Sequence, residues 1–188
     1  MRITSGLHRS KKLISPIGSN TRPTGDRVRE SVFNILKHAK WHENILEDAT
    51  VLDVFAGTGA LGLEALSQGA KHAVFIENNS SAIKTCRSNI DLLKENDRSL
   101  LIKRDASKSI KRPEHIEKRS LVFLDPPYAK DMGSKALTLL LENDWLDDKA
   151  VCIMEMAKTA EETIFAEFKI EDERTYGIAK IIFLTLKN

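Results

Sequence analysis

The amino-acid sequence predicts an α/β fold of the doubly wound, Rossmann-like kind: a mostly parallel seven-stranded sheet with helices on both faces and an antiparallel hairpin at its C-terminal end. Three observations predict it. From Thr50 onward, short apolar runs alternate with stretches of helical periodicity, the pattern of a parallel sheet covered on both sides. A glycine-rich turn, Gly57, Gly59 and Gly62, stands where the first apolar run passes into a helical stretch. The chain has 188 residues, enough to bury one core and too few for two full domains.

Taken in order, residues 15–25 read as a loop, because Pro16, Gly18, Ser19, Asn20 and Pro23 combine fixed φ, free φ and side chains that compete for backbone hydrogen bonds. The segment before them can pair as a short strand or hairpin. Asp26 is placed to cap a helix running to Ala39, with Val28, Val32, Ile35 and Leu36 on one face. Strands are expected over Thr50–Val54, His72–Glu77, Ser99–Lys103, Leu121–Leu124 and Ala150–Met156, and near Phe165–Arg174 and Ala179–Lys187. Helices are expected over Gly59–Gln68, Ser80–Lys94 and Gly133–Asn143, with Gly69 well suited to end the first of them. A turn covers Ala106–Ile110. Tyr176-Gly177 between the last two strands reads as a hairpin turn at one sheet edge. On this reading residues 1–40 are a basic extension with its own helix, and residues 41–188 are the main domain.

Composition narrows the classes. Hydrophobic residues make up 41% and charged residues 30%, and no apolar run approaches the roughly 20 residues that span a bilayer. Met1 to Leu13 lacks the apolar stretch and cleavage site of a signal peptide, so a cytoplasmic protein with no membrane association is expected. Cys86 and Cys152 stand apart from any Cys/His cluster, so no metal site is expected and both read as buried apolar side chains. The charge is lopsided. Residues 1–30 hold Arg2, Arg9, Lys11, Lys12, Arg22, Arg27 and Arg29 against Asp26 and Glu30, a net +5, which leaves −3 for the rest of a chain whose total is +2. A basic arm on a slightly acidic body suits a polyanionic partner, although a merely solvated terminus has the same composition.

Asp53-Val54-Phe55-Ala56-Gly57-Thr58-Gly59-Ala60-Leu61-Gly62 leaves the first strand and enters the next helix. Missing Cβ atoms there let a ligand approach backbone whose N–H groups are unpaired. Gly57-x-Gly59-x-x-Gly62 with Glu77 at the end of the second strand also satisfies the dinucleotide fingerprint, so a nicotinamide oxidoreductase is an alternative. Asp53 favours a different cofactor. A carboxylate ahead of the glycines repels a pyrophosphate but suits the ammonium group of S-adenosylmethionine, which has no phosphates. Asp53 could equally bond loop N–H groups. Glu77 would accept both ribose hydroxyls. Asp105 either accepts from the adenine amine or caps the turn that follows it. The residues expected around the cofactor are Asp53, Phe55, Ala56, Gly57, Thr58, Gly59, Glu77, Asn78, Asp105 and Ala106.

The apolar run Leu121-Val122-Phe123-Leu124 ends in Asp125-Pro126-Pro127-Tyr128. In an open α/β sheet this places the tetrapeptide beyond the carboxyl end of its strand, beside the glycine loop. An exocyclic base amine is a poor nucleophile because its lone pair is delocalised into the ring. If the Asp125 carboxylate and the Pro126 carbonyl each hold one N–H, the nitrogen is drawn toward tetrahedral geometry with its lone pair free. Pro127 stiffens the segment, and Tyr128 offers a ring for stacking a flipped or single-stranded base.

With these residues in view, the chain resembles the bacterial ribosomal small-subunit methyltransferase D family, class I S-adenosylmethionine-dependent enzymes that methylate guanine N2 in 16S ribosomal RNA. The resemblance spans nearly the whole chain. It is carried by Met1-Arg2-Ile3 with Ser5-Gly6, Arg22-Pro23-Thr24 with Asp26-Arg27-Val28-Arg29-Glu30, Asp53 to Gly62, Glu77, Asp125 to Tyr128, and Tyr176-Gly177. The glycine and Asp-Pro-Pro-Tyr motifs are common to many amino-methyltransferases, so the segment from Arg22 to Glu30 discriminates most. The resemblance implies cofactor binding at Asp53, Gly57, Gly59, Glu77 and Asp105, and catalysis by Asp125, Pro126 and Tyr128. It also implies RNA contact by the first thirty residues, a monomer, and a substrate that is 16S rRNA in the assembling small subunit, modified at guanine 966. His8 and Ser10 depart from an aromatic and a glycine favoured in relatives. Among rivals, a DNA adenine N6 methyltransferase uses the same tetrapeptide but normally needs an added recognition domain. A protein glutamine methyltransferase carries Asn in place of Asp125. A non-catalytic RNA-binding module explains the basic arm alone.

Overall fold

The computed structural model describes residues 1–15, 23–127, 131–160 and 164–187, with the side chains of Pro23 and Thr24 excepted. The elements run α1 (Pro23–His38), β1 (Thr50–Val54), α2 (Ala60–Ser67), β2 (His72–Glu77), α3 (Ser80–Leu93), a 3₁₀ turn (Asn96–Arg98), β3 (Ser99–Lys103), β4 (Arg119–Leu124), α4 (Met132–Glu142), β5 (Leu146–Ala157), β6 (Phe168–Tyr176) and β7 (Ala179–Leu186). They build one seven-stranded sheet of order β3-β2-β1-β4-β5-β7-β6. The first five strands are parallel, and β7 runs antiparallel to both β5 and β6.

Alternation along the strands divides the core. Val51, Phe75, Leu121, Phe123, Val151, Ile153, Ile181 and Phe183 pack on one face under α1, α2 and α3. Leu52, Val74, Val122, Leu124, Cys152, Met154, Ile182 and Leu184 pack on the other with α4 and Trp145. A strand apolar on both faces reads as a continuous hydrophobic run, which is why β1, β2 and β3 lie where the sequence predicts them. Two of the helix ends have local causes. Asn79 caps α3 by accepting the N–H groups of Ser81 and Ala82. At the end of α2, Ala70 N–H reaches Ala65 C=O at 3.0 Å and Gly69 N–H reaches Leu66 C=O at 3.5 Å, a Schellman pattern with Gly69 at φ +115°.

Four elements, α1, β4, β5 and β6, depart from the sequence prediction by more than one residue. The first helix begins at Pro23, where the ring suits a first helical position, so Asp26 is not its cap. Its carboxylate bonds Arg29 one turn on, at 3.0 Å. Residues 23–25 of the expected loop are helical, and 16–22 lie outside the described residues. β4 and β5 start early, at Arg119 and Leu146, where those two residues pair ahead of a register shift. β6 is displaced to Phe168–Tyr176 because its polar residues are held by pairing with β7 rather than by burial. The β6–β7 turn consists of Gly177 and Ile178, with φ +60° at the glycine, a type II′ pattern.

The N-terminal segment is a hairpin closed by an Arg2–Lys12 bridge, with Ile3 and Leu13 buried in the α1 face of the core. Its turn lies against the end of α2, where Leu7 N–H donates to Ser67 C=O at 2.7 Å. Gly6 is obligatory there: φ is +78°, and a Cβ would fall 1.8 Å from the Ser67 carbonyl oxygen. The hairpin, α1 and α2 meet at Glu64, whose side chain is 0% exposed. Its carboxylate accepts from Thr4 N–H at 2.9 Å, the Thr4 hydroxyl at 2.7 Å, Ser5 N–H at 3.0 Å, Gln68 Nε2 at 2.7 Å and Arg29 Nε at 3.2 Å. Replacing it would leave two backbone donors unmatched and the buried Arg29 guanidinium with only Asp26 and the Arg2 carbonyl. Glu64→Ala is expected to lose about 3–5 kcal/mol in urea denaturation and to deprotect residues 1–13 in hydrogen exchange. A loss under about 1 kcal/mol would show that water replaces the carboxylate at no great cost.

Candidate active site

The candidate site is set by strand register. Asp53 on β1 pairs with Phe123 on β4, and Phe123 pairs with Ile153 on β5. Two residues further toward the carboxyl ends come Asp125 and Glu155, and Glu155 pairs with Ile181 on β7. A step of two residues returns a side chain to the same face. Asp53, Asp125 and Glu155 therefore share the α1 face and line one cavity of about 640 Å³. Val28, Arg29 and Val32 of α1 border it from above, and Tyr176 to Ala179 of the hairpin close one side. The hairpin is tied to α1 by a 2.5 Å hydrogen bond between Ser31 Oγ and the Tyr176 hydroxyl.

The glycine loop forms the adjoining rim. Phe55, Gly57 and Gly59 have φ of +61°, +55° and +78°. A left-handed aromatic such as Phe55 is strained backbone of the kind held in place at functional sites. A Cβ on Gly57 would meet nothing closer than 3.9 Å, so its space is open, whereas on Gly62 it would lie 2.4 Å from the Phe75 ring. Gly62 therefore serves helix-to-sheet packing and Gly57 the open approach. Asp53 is 1% exposed and accepts Gly62 N–H at 2.9 Å, so it braces the loop as well as facing the cavity. Glu77 accepts from the backbone N–H groups of Gly57, Asn78 and Asn79, each at 2.8 Å. It joins the ends of β1 and β2 at the loop.

Burial dominates the electrostatics, and the crowding of like charge adds to it. Burial raises the Asp53 carboxyl to about 8; the Gly62 N–H opposes the rise, and the charges of Asp125 and Glu77 add to it. Asp125 has surface open to the cleft but is crowded by surrounding protein. That burial, and then the charge of Glu155, raises it to about 7. Cys86, under Gly59, is raised to about 12 by burial and by the neighbouring acids, so it is an inert thiol here.

Asp53, Phe55, Ala56, Gly57, Thr58 and Asp125 come together at the cavity. Glu77 and Asn78 attach to its rim through the loop hydrogen bonds. Asp105 and Ala106 lie past β3 and do not line it. Asp105 accepts from the Ser107 N–H and hydroxyl at 3.0 and 2.7 Å, which holds its carboxyl below the usual range, and Ala106 is buried on the α4 face. The capping alternative for Asp105 thus describes its bonds. Pro126 is buried and Pro127 exposed; Tyr128 lies outside the described residues. Arg2, Arg9, Lys11, Lys12 and Arg27 are exposed and form no ion pair with another described residue. Arg22 lies outside the described residues.

Arg29 requires correction. It is 5% exposed, and its guanidinium is given to Glu64, Asp26 and the Arg2 carbonyl, so it is a structural cation and not a surface phosphate contact. Sequence reasoning also missed Glu155 and Tyr176 as cavity residues. For Glu155 a signal existed: it is the lone acid in the otherwise apolar run Ala150–Met156, near the carboxyl end where ligands bind.

Comparison with known proteins places this arrangement. The chain is 34% identical over 179 residues to ribosomal RNA small subunit methyltransferase D of Haemophilus influenzae, covering 95% of this chain and 90% of that protein. It is 33% identical to the protein of the same name in Escherichia coli K12, over 94% of this chain and 85% of that one. Among solved structures, Escherichia coli yhhF superposes with a TM-score of 0.83 at 31% identity, covering 100% and 98% of the two chains. The seven-stranded sheet with its C-terminal hairpin is the Rossmann-like class I methyltransferase arrangement. The family model described as conserved hypothetical protein 95 matches residues 1–185, and with these relatives it shows that the chain belongs to the ribosomal RNA small subunit methyltransferase D family.

Proposed function

We propose that the protein transfers a methyl group from S-adenosylmethionine to the exocyclic N2 of one guanine, guanine 966, of 16S rRNA in the assembling small ribosomal subunit, acting as a cytoplasmic monomer. The observation that carries this reading is the row of carboxylates from Asp53 to Asp125, held on one sheet face beside a glycine loop and joined to an Asp-Pro-Pro segment. Relatives named as ribosomal RNA methyltransferases support RNA as the substrate.

The residues present fit the cofactor. Burial raises the Asp53 and Asp125 carboxyls, with the charges of Asp125 and Glu77 adding at Asp53 and that of Glu155 adding at Asp125, so a ligand carrying a sulfonium and an ammonium relieves repulsion that a dinucleotide's phosphates would add to. Gly57 would leave open space for the amino-acid end beside Asp53, and Glu77 would accept the ribose hydroxyls once its loop hydrogen bonds are shared. When bound, S-adenosylmethionine supplies a methyl carbon activated by its positive sulfur. Asp125 and the Pro126 carbonyl would each accept one N–H of the guanine amine, which frees the nitrogen lone pair. Asp125 would offset the positive charge developing on the amine nitrogen and would take its departing proton. Tyr128 would stack on the base. The exposed Arg2, Arg9, Lys11, Lys12 and Arg27, with Arg22, would hold RNA phosphates.

Asp125→Ala is expected to cut transfer at least about a hundredfold while S-adenosylhomocysteine affinity by calorimetry stays within a few-fold. Gly57→Val, forcing a branched side chain to φ +55°, is expected to lose the cofactor itself. Equal loss of cofactor by both would refute this division of roles.

The raised carboxyls predict pH dependence. An acid held at about 7 or 8 is protonated below that range, so both the attraction for a cation and the acceptor on the amine are lost as pH falls. kcat/KM for the cofactor, which reports the free protein, should therefore fall as pH drops through 8 to 7. A bound cation favours the carboxylate, so kcat at saturating cofactor should hold to lower pH. Coincident profiles would contradict the electrostatic account.

For the arm, Arg9, Lys11 and Lys12 changed together to Ala should weaken binding of small-subunit RNA and flatten the slope of log affinity against log salt by about 2 to 3. An unchanged slope would make the arm a solvated surface only.

A further inference from the structure

We propose that Glu155 is the guanine-selecting residue: its carboxylate accepts the N1–H of the target base while Asp125 holds the neighbouring N2 amine. This rests on the guanine N2 reading above and deepens it. Glu155 is one residue past Met154, which pairs with Leu124, so Glu155 and Asp125 occupy adjacent positions at the carboxyl ends of neighbouring parallel strands. Both line the same cavity, and the charge of Glu155 is felt at Asp125. Neighbouring strands lie about 4.8 Å apart, which is close to twice the separation of adjacent donor positions on a base edge and leaves each carboxylate room to reach one of them.

The cavity beyond these acids offers apolar contact to the faces of a heterocycle. Val28 and Val32 on α1, Ile153 on β5, and Ile178 and Ile181 on the hairpin make its walls apolar. Ile178 is 61% exposed at the mouth, an apolar contact on the rim of a cleft that a flipped base must enter. In such a site the polar groups set orientation. Asp125 alone would treat a guanine N2 and an adenine N6 alike, since each is an amine on a ring carbon. A second acceptor separates them. Beside its amine, guanine presents N1–H, a donor that a carboxylate accepts; adenine presents N1 as a lone pair, which a carboxylate repels. Carboxylates at Asp125 and Glu155 together match the donor-donor edge of guanine and mismatch adenine.

The test uses the whole protein and small subunits reconstituted with 16S rRNA bearing either guanine or 2-aminopurine at the target position. 2-Aminopurine keeps the N2 amine but has a bare acceptor at N1. Wild-type protein should strongly prefer guanine. Glu155→Gln should reduce transfer to guanine about 10- to 100-fold, the effect of losing one good edge contact. It should leave transfer to 2-aminopurine unchanged or raised, because the amide can donate to N1, and S-adenosylhomocysteine affinity should stay within a few-fold. Glu155→Asp, which keeps the carboxylate, should keep the guanine preference and serves if the Gln variant does not fold. Equal loss on both substrates, or undiminished transfer to guanine, would overturn the assignment. Wild-type protein that methylates 2-aminopurine as readily as guanine would also overturn it. Wild-type protein that methylates neither would overturn the guanine N2 reading itself, and the assignment with it.

Discussion

Glu64 accepts hydrogen bonds from the N-terminal hairpin, from α1 and from its own helix, and it does so with no exposure to solvent. A carboxylate removed from water in this way is tolerated only when donors replace its hydration, and here they come from residues 4, 5, 29 and 68. The consequence reaches the site. Arg29 is fixed by Glu64, Arg29 and Val28 lie on the helix that borders the cavity, and the same helix holds the hairpin through Ser31 and Tyr176. One buried ion pair therefore ties α1, which borders the cavity, to α2. Its contribution to net stability can be small even though losing one partner is costly, because desolvation of both charges opposes their attraction.

The acids of the site work against the fold that holds them. Asp53 and Asp125 bind protons more tightly folded than unfolded, so they favour the folded state fully below the ordinary carboxylate range, and that contribution is lost as pH rises toward 7 and 8. At neutral pH the protein carries a strained electrostatic arrangement that the rest of the core must support. On the proposed reading, a positively charged ligand relieves part of this cost by favouring the carboxylates. The left-handed Phe55 adds backbone strain in the same loop. Local cost concentrated at one edge of a well-packed sheet is the expected signature of a functional site.

The sequence made the first three strands legible residue for residue, because the parallel strands β1 and β2, buried on both faces, and the half-buried edge strand β3 are each an apolar run between polar turns. The antiparallel edge was legible as a hairpin but not in its limits, since the β6 residues Glu171 to Thr175 are polar and pairing, not burial, keeps them in the sheet. The start of α1 was hidden by Pro23, which reads equally as a loop residue and as a helix start. Two errors at the site share a cause. Charge alone assigned Arg29 to the surface, and Glu155, although the one acid in its apolar run, gave no sign of facing Asp125. Both side chains owe their place to partners distant in sequence, 35 residues away for Arg29 and on a neighbouring strand for Glu155. No local pattern encodes such partners.

The separation of charge along the chain has a physical use on the proposed reading. RNA phosphates are repelled by a cleft lined with Asp53, Asp125 and Glu155, so the backbone cannot enter where a base must. The exposed cations sit instead on the hairpin and the outer surface of α1, and that hairpin adjoins the cavity through Met1. Phosphate attraction and base recognition are thereby assigned to adjoining but opposite fields. A base carries no formal charge, gains acceptors from the acids and apolar contact from the walls, and leaves its phosphates outside with the arginines and lysines. This arrangement selects an extruded base over a stretch of backbone without requiring a separate recognition domain, which suits a chain whose single core is already committed to the sheet.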